Sequence, residues 1–318
     1  MNDSVKEGTR DAYGRALAAI AKENQSIVAL DCDLGGSTRS AKIAEVDEAR
    51  FYEMGISEQD MISTAAGMAS VGEIVFANSF AVFLTGRTFD QIRQQLSLPK
   101  MNVKLCGSSA GLTQGPDGAT HQSVLDVSLM RLLPNMTVFV PADSDQTEAV
   151  VRAAAEIDGP VYIRLSRFPT GRNIPSRVAF KVGDGQVLSE GDDIVLCGTG
   201  PIMQEVNGAA EILKKKSLNV GVVNFHTLKP IDTDLIHSLM DRYRFIVSIE
   251  EHSIYGGLGT AIAEVMSDRL VQSNCSLIRH GLKDCFGESG GQMELLAKYE
   301  LDRKGISKQV EQLVKKIK

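Results

Sequence analysis

Asp117 and His121 lie four residues apart in the run GPDGATHQ, residues 115–122. Gly115, Pro116 and Gly118 predict a turn, which can aim a carboxylate and an imidazole together at the hydroxyls of a bound polyol. The alternative is a surface turn with an incidental histidine. Glu58 lies in MGISEQDM, where a strand gives way to a helix N-terminus. A carboxylate there also complements the helix dipole, by about 0.3–1 kcal/mol, so a lone Glu is a weak signal. Phe80 and Phe83 follow the run EIVFANS. They read either as core or as a flat apolar slot for a heteroaromatic ring. Arg10 and Arg167 end or flank elements of the same half of the chain. An arginine fork binds phosphate bidentately; a solvated surface charge is the ordinary alternative.

Such residues need rigid elements to hold them. Short β-branched runs alternate with helical patterns along the chain, which predicts a parallel α/β architecture. A helix over residues 5–22 leads into the strand SIVALDCD and a polar loop, LGGSTRS. RFYEMG is a second strand, running into a helix near Ser57. Ser57 and Asp60 have capping-box spacing, and Met61, Ile62, Ala65 and Met68 fall on one helical face. Further strands are predicted at EIVFANS, VKLCGSS, TVFVPA and PVYIRLS, with helices at TFDQIRQQL and SDQTEAVVRAAAEI.

In open parallel sheets, function collects in loops leaving the carboxyl ends of strands. Four such loops, DCDLGGSTRS, EMGISEQD, ANSFAVFLTG and SSAGLTQGPDGATHQ, are polar and glycine-rich. Their coincidence points to a site more strongly than any one of them. After Arg167 the run FPTGRNIPSR has two prolines, a glycine and no periodicity, and reads as a linker. Beyond it, strands are predicted at DIVLCGTG, NVGVVNF and FIVSIEE, with helices at MQEVNGAAEILKKK, DTDLIHSLMD and LGTAIAEVMSDRL. The predicted organisation is α/β with two doubly wound domains. Residues 1–170 form a parallel-sheet domain, 171–190 a linker, and 191–318 a smaller domain with a mostly parallel sheet. Gly183-Asp184-Gly185, followed by Asn207, imitates a metal- and diphosphate-binding GDG…N signature. At this junction it reads as turns before a strand.

Composition excludes several classes. The 318 residues are 43% hydrophobic and 23% charged, which is globular and not disordered. With 34 basic against 40 acidic residues the net charge is −6, so nothing in the balance favours nucleic acid or an anionic membrane. Aromatics are 5%, with no Trp, which disfavours a carbohydrate-binding platform or an RNA-stacking module. Cys32, Cys106, Cys197, Cys275 and Cys285 are widely spaced and odd in number, the pattern of reduced cytosolic thiols. Neither a signal peptide nor a membrane span is predicted, and the expected location is cytoplasmic.

Taken together, these loops resemble the transketolase family over nearly the whole chain. MGISEQDM resembles the segment carrying that family's cofactor-activating glutamate, and SFAVFLTGRTFDQIR its aromatic segment. CGSSAGLTQGPDGATHQ resembles its glycine-rich loop. RLLPNMTVFVPAD, IRLSR, EEHSIYGGLGTAIAE and FGESG continue the family order. The resemblance implies a pyrimidine-binding domain for thiamine diphosphate followed by the family's C-terminal domain. It implies that Glu58 hydrogen-bonds the pyrimidine N1′, that Phe80 and Phe83 pack on the pyrimidine, and that Glu58 and His121 are catalytic. Asp117 and His121 match positions that bind donor-sugar hydroxyls; Arg10, Ser37 and Arg167 match phosphate-binding positions. Asp33 is expected near the substrate or the partner chain. Ser109 stands where many members have a phosphate-binding histidine, and one extra residue near Gly86 is expected to shift the aromatic slot.

The family's diphosphate-binding domain has no counterpart before Arg10. The resemblance therefore implies one subunit of a split enzyme, with Mg²⁺ or Ca²⁺ held mainly by an N-terminal partner. It also implies a homodimer core through the pyrimidine domains and a heterotetramer with the partner. Met1 and the lysine-rich end LVKKIK are read as a natural separate chain. The implied reaction transfers a two-carbon ketol unit between sugar phosphates. Rivals are a 2-oxo acid dehydrogenase β-type subunit, a deoxyxylulose-phosphate-synthase-like activity and a non-catalytic paralogue. Asp117, His121 and the arginine of IRLSR favour the sugar enzyme over the first, Ser109 disfavours the second, and the retained Glu58 argues against the third.

Overall fold

The computed structural model describes residues 6–270 and 273–317; Val5 of the first predicted helix and Lys318 lie outside the described residues. Twelve strands are present among them. In the first half these are β1 (Ile27–Asp31), β2 (Phe51–Glu53), β3 (Ile74–Phe80), β4 (Val103–Ser108), β5 (Thr137–Phe139) and β6 (Val161–Arg164). In the second half they are β7 (Gln186–Ser189), β8 (Ile194–Gly198), β9 (Gly221–Asn224), β10 (Thr227–Lys229), β11 (Phe245–Ser253) and β12 (Ser276–Leu282). The central strands are buried along their whole length, IVALD in β1 and IVLCG in β8 among them. That follows from their run of branched residues, which only a parallel sheet covered on both faces can bury.

The first sheet runs β10-β5-β6-β4-β3-β1-β2 and the second β12-β11-β8-β9-β7. All pairings are parallel except β10 with β5 and β7 with β9. Two features depart from the expected layout. The segment expected to be linker up to residue 190 contributes β7, an antiparallel edge. The first sheet is completed by β10, three residues from the far half of the chain. Met130, Leu133, Val138 and Val140 share one apolar cluster with Phe225, Leu228 and Ile236, so the two halves pack through a common core. Lys229 adds donors to the carbonyls of Arg131 at 2.9 Å and Leu133 at 2.5 Å.

Helices cover both faces. In Thr9–Glu23 the residues Ala12, Tyr13, Ala16, Leu17 and Ile20 are buried, an i, i+3, i+4 stripe packed against the helix Ser144–Glu156. The predicted helix TFDQIRQQL is only partly α-helical. Phe83–Arg87 and Ile92–Ser97 form wider π turns, flanking the short α segment Phe89–Gln91. An extra residue in a helix is commonly absorbed as such a turn. Parallel registers place Asp31 beside Asn78, Phe80 beside Ser108, and Gly107 beside Arg164. The carboxyl ends of β1, β3, β4 and β6 therefore open on one edge. No helix of the described residues is long and apolar enough to cross a membrane.

Candidate active site

The first loop on that edge is organised by Asp31, which is fully buried at the end of β1. Its carboxylate accepts from the Leu34 amide and from the hydroxyls of Thr38 and Ser40, each at 2.7 Å. Burial pushes its pKa up to about 6, against the pull of these three hydrogen bonds. The loop presents Asp33, exposed at φ 61° with its amide donating to Glu53 Oε1 at 2.6 Å. It also presents Ser37, whose carbonyl accepts from Arg10 Nη1 at 3.0 Å.

Glu58 begins the helix Glu58–Ser70 and is 3% exposed. Ser57 does not cap that helix. Its hydroxyl donates instead to Met54 O at 2.7 Å, because the tight turn before the helix offers a nearer acceptor. Glu58 Oε2 accepts from Arg87 Nη1 at 2.7 Å, and the Arg87 guanidinium lies 4.8 Å from the centre of the Phe83 ring. Phe80 and Phe83 are stacked, with ring centres 6.2 Å apart and planes inclined by 23°. His121 stands edge-on to Phe83 at 5.3 Å and to Phe80 at 6.3 Å. Glu58, the aromatic pair and His121 thus form one cluster joined by Arg87. Sequence reasoning missed Arg87, since an arginine in a helical run carries no motif of its own.

The turn after β4 connects this cluster to a cationic one. Asp117 shares the turn with His121 and accepts from Gln114 Nε2 at 2.5 Å and Arg167 Nη1 at 3.3 Å. Arg10 lies close enough for neighbouring charges to act on it. Burial lowers its pKa, Asp11 opposes that, and Arg39 and Arg167 lower it further. Three guanidiniums in one region repel one another, and a bound anion relieves the repulsion. Arg39, which donates to Asp11 Oδ1 at 2.7 Å, was not singled out from sequence. Several buried donors here have no partner among the described residues: Arg10 Nε and the hydroxyls of Ser79, Ser108 and Ser109. Ser109 is 1% exposed with φ 56°, a left-handed conformation costly for a non-glycine residue.

Family models match in two parts. Residues 6–170 match the transketolase pyrimidine binding domain and residues 183–306 the transketolase C-terminal domain. The chain belongs to the transketolase family. A Methanocaldococcus jannaschii protein, provisionally named a transketolase C-terminal section, is 41% identical over 314 residues, covering 98% of each chain. Human transketolase is 36% identical over 98% of this chain, which spans 50% of that protein. A solved split-gene transketolase, described as an inactive β4 tetramer, superposes with a TM-score of 0.88 at 42% identity. That match covers 96% of this chain and 98% of the other.

Transketolases and the related deoxyxylulose-phosphate synthases depend on thiamine diphosphate. The residues present fit its aminopyrimidine end: a buried carboxylate beside a stacked aromatic pair suits a flat heterocycle with ring nitrogens. They do not extend to a metal centre. Among the described residues no group of three or more His, Cys, Asp or Glu is placed to hold an ion. The GDG triplet is a turn, with the Asp184 amide donating to Lys181 O at 3.1 Å. Asn207 spends its side-chain amide on Asn173 O at 3.0 Å.

Proposed function

We propose that this transketolase-family chain is the C-terminal subunit of a split transketolase. With an N-terminal subunit it moves a two-carbon ketol unit from a ketose phosphate to an aldose or aldose phosphate. The observation that carries the reading is the meeting, on one sheet edge, of the Glu58, Phe80, Phe83 and His121 cluster with the Arg10, Arg39 and Arg167 cluster. Bound thiamine diphosphate supplies the carbon nucleophile and electron sink. The chain's own residues do the rest. Glu58, shielded from water, holds a proton at the pyrimidine N1′, and Phe80 and Phe83 fix the ring's plane. Asp117 and His121 hydrogen-bond the sugar hydroxyls. Arg10, Ser37 and Arg167 hold the phosphate; the buried Ser109 hydroxyl, without a partner among the described residues, adds a donor, and exposed Asp33 serves the substrate or the partner chain.

Diphosphate with Mg²⁺ or Ca²⁺ demands several oxygen ligands, and the reading assigns these to the partner. The half of human transketolase that lies outside this match supports that assignment. The inactive β4 tetramer of the 42% identical relative supports self-association without activity. The proposed assembly is a homodimer core through the pyrimidine domains, two N-terminal subunits completing both sites, in the cytoplasm.

The test is reconstitution. Titration of thiamine diphosphate and Mg²⁺ onto the chain alone should give no tight binding. After addition of the N-terminal subunit, binding should appear together with transfer between xylulose 5-phosphate and ribose 5-phosphate. Micromolar binding and sugar turnover by the chain alone would refute the split-subunit reading. A complete mixture active only on 2-oxo acids would refute the reaction.

A further inference from the structure

We propose that Glu251, in the second sheet, is a positioning residue for the substrate loop, acting through Thr113. The loop leaving β4 carries Asp117 and His121, yet its backbone is held from the other half of the chain. Glu251 lies in β11 and is 3% exposed. Its Oε1 accepts from the Thr113 amide at 2.5 Å. The Thr113 carbonyl accepts from Gln292 Nε2 at 2.6 Å. Both backbone groups of Thr113 are thus claimed by side chains more than a hundred positions away. The next residue, Gln114, donates to Asp117 Oδ2 at 2.5 Å. One residue of backbone separates the clamp from a group that touches sugar in the proposed reaction.

The loop is shaped around this carboxylate. Gly111 has φ 83°, and a Cβ there would overlap Glu251 Oε1, so both conformation and space require glycine. A buried carboxylate is costly without partners, and this one is raised in pKa by its burial, with Arg164 opposing. Arg164 itself is 5% exposed and donates to Asp126 Oδ2 at 2.8 Å and to Glu251 O at 3.0 Å. Farther along, Ser289 donates to Pro116 O at 2.6 Å, and the Gln122 amide donates to Glu288 O at 2.8 Å. An apolar contact would have been cheaper as mere packing. The paired hydrogen bonds fix the direction of one peptide, which is what aiming Asp117 requires.

The kinetic arm of the test rests on the ketol-transfer reading; the exchange arm does not. Hydrogen exchange of loop 111–122 is measured in the isolated chain for wild type, Glu251→Ala, Glu251→Gln and Gln292→Leu. Gln292 is half-buried, so its variant tests the clamp even where Glu251→Ala fails to fold. Gln292→Leu should speed exchange in the loop by about tenfold, the scale of one lost hydrogen bond, and leave the rest of the chain unchanged. Glu251→Gln keeps an acceptor for the Thr113 amide and should stay near wild type. In the reconstituted enzyme Gln292→Leu should raise KM for the ketose about fivefold or more, with kcat and thiamine diphosphate affinity little altered. Glu251→Ala, where it folds, should speed loop exchange at least as much; wild-type exchange in folded Glu251→Ala or in Gln292→Leu overturns the proposal, as does a loss of cofactor affinity equal to the rise in KM. Faster loop exchange in a protein whose wild-type mixture transfers no ketol unit upholds the clamp and overturns the reaction.

Discussion

Acidity should act on the loop that carries Asp33 and Ser37, and Asp31 sets the size of the effect. Its carboxyl is fully buried and titrates at about 6, against 3.8 for an ordinary aspartate. Three hydrogen bonds favour the charged form, so the upward shift means desolvation outweighs all of them. A gap of roughly two units corresponds to about 3 kcal/mol at 1.36 kcal/mol per unit. The folded chain binds this proton more tightly than the unfolded chain. The stabilisation from the protonated group is therefore fully present below pH 3.8, falls as pH rises through 6, and is absent above. Asp31→Asn keeps a side-chain oxygen for Thr38 and Ser40 but removes the titration. Unfolding free energies of the two proteins, measured by denaturant between pH 4 and 8, should diverge by roughly 2 kcal/mol in favour of asparagine on going from pH 4 to 7, part of the full effect being already lost at pH 4. A difference constant across that window would refute the reasoning, whatever its absolute value.

Glu58→Gln in the reconstituted enzyme should lower turnover by at least about 10²-fold, the usual loss for an acid–base group. Its melting temperature should move little because Arg87, 47% exposed, is readily solvated; near-normal turnover would show the assignment wrong. Arg10→Ala and Arg167→Ala should each raise KM for phosphorylated sugars far more than for unphosphorylated analogues, and equal effects on both would dismiss the phosphate role. Arg164→Met leaves fully buried Asp126 without its cation and should cost about 3–5 kcal/mol by urea denaturation, partly recovered in the double variant with Asp126→Leu, where the Tyr162 hydroxyl also loses its acceptor. A single variant within about 1 kcal/mol of wild type would contradict that.

The elements legible in the sequence were those whose burial is written in consecutive residues. IVALD, IVLCG and the helix Ser144–Glu156 declare themselves because each must hide a run or stripe of apolar side chains. β7 and β10 do not. Their four and three residues are too short for a pattern, and each exists because a distant strand, β9 or β5, offers an unpaired edge. Ser57 failed for a related reason. Spacing identifies a hydroxyl near a helix start, but Met54 O and the helix amides compete for it, and only the turn geometry decides. Asp117, His121 and Arg167 stand out as candidates because loop residues with chemical side chains have few structural reasons to be there, and Arg10 because it opens a helix facing them. Asp31 and Glu251 are the opposite: buried within strands, they serve other residues and so leave no signature.

Arg87 is the instructive case. A helix advances about 100° per residue, so one inserted residue near Gly86 should rotate everything after it by that angle. Such a rotation would turn Ile92 and Leu96 out of the core, yet both are fully buried. Phe80 and Phe83, just before, still form a stacked pair. Phe83–Arg87 is a π turn, the form in which a helix can take up an added residue without turning its later positions out of the core, and a second follows at Ile92–Ser97. Gly86 and Arg87, the last residues of the first turn, are both exposed, and it is Arg87 that reaches Glu58 Oε2. This turn brings a guanidinium to the buried carboxylate. That contact sits at the atom proposed to serve the pyrimidine, so cofactor and arginine must share or exchange it.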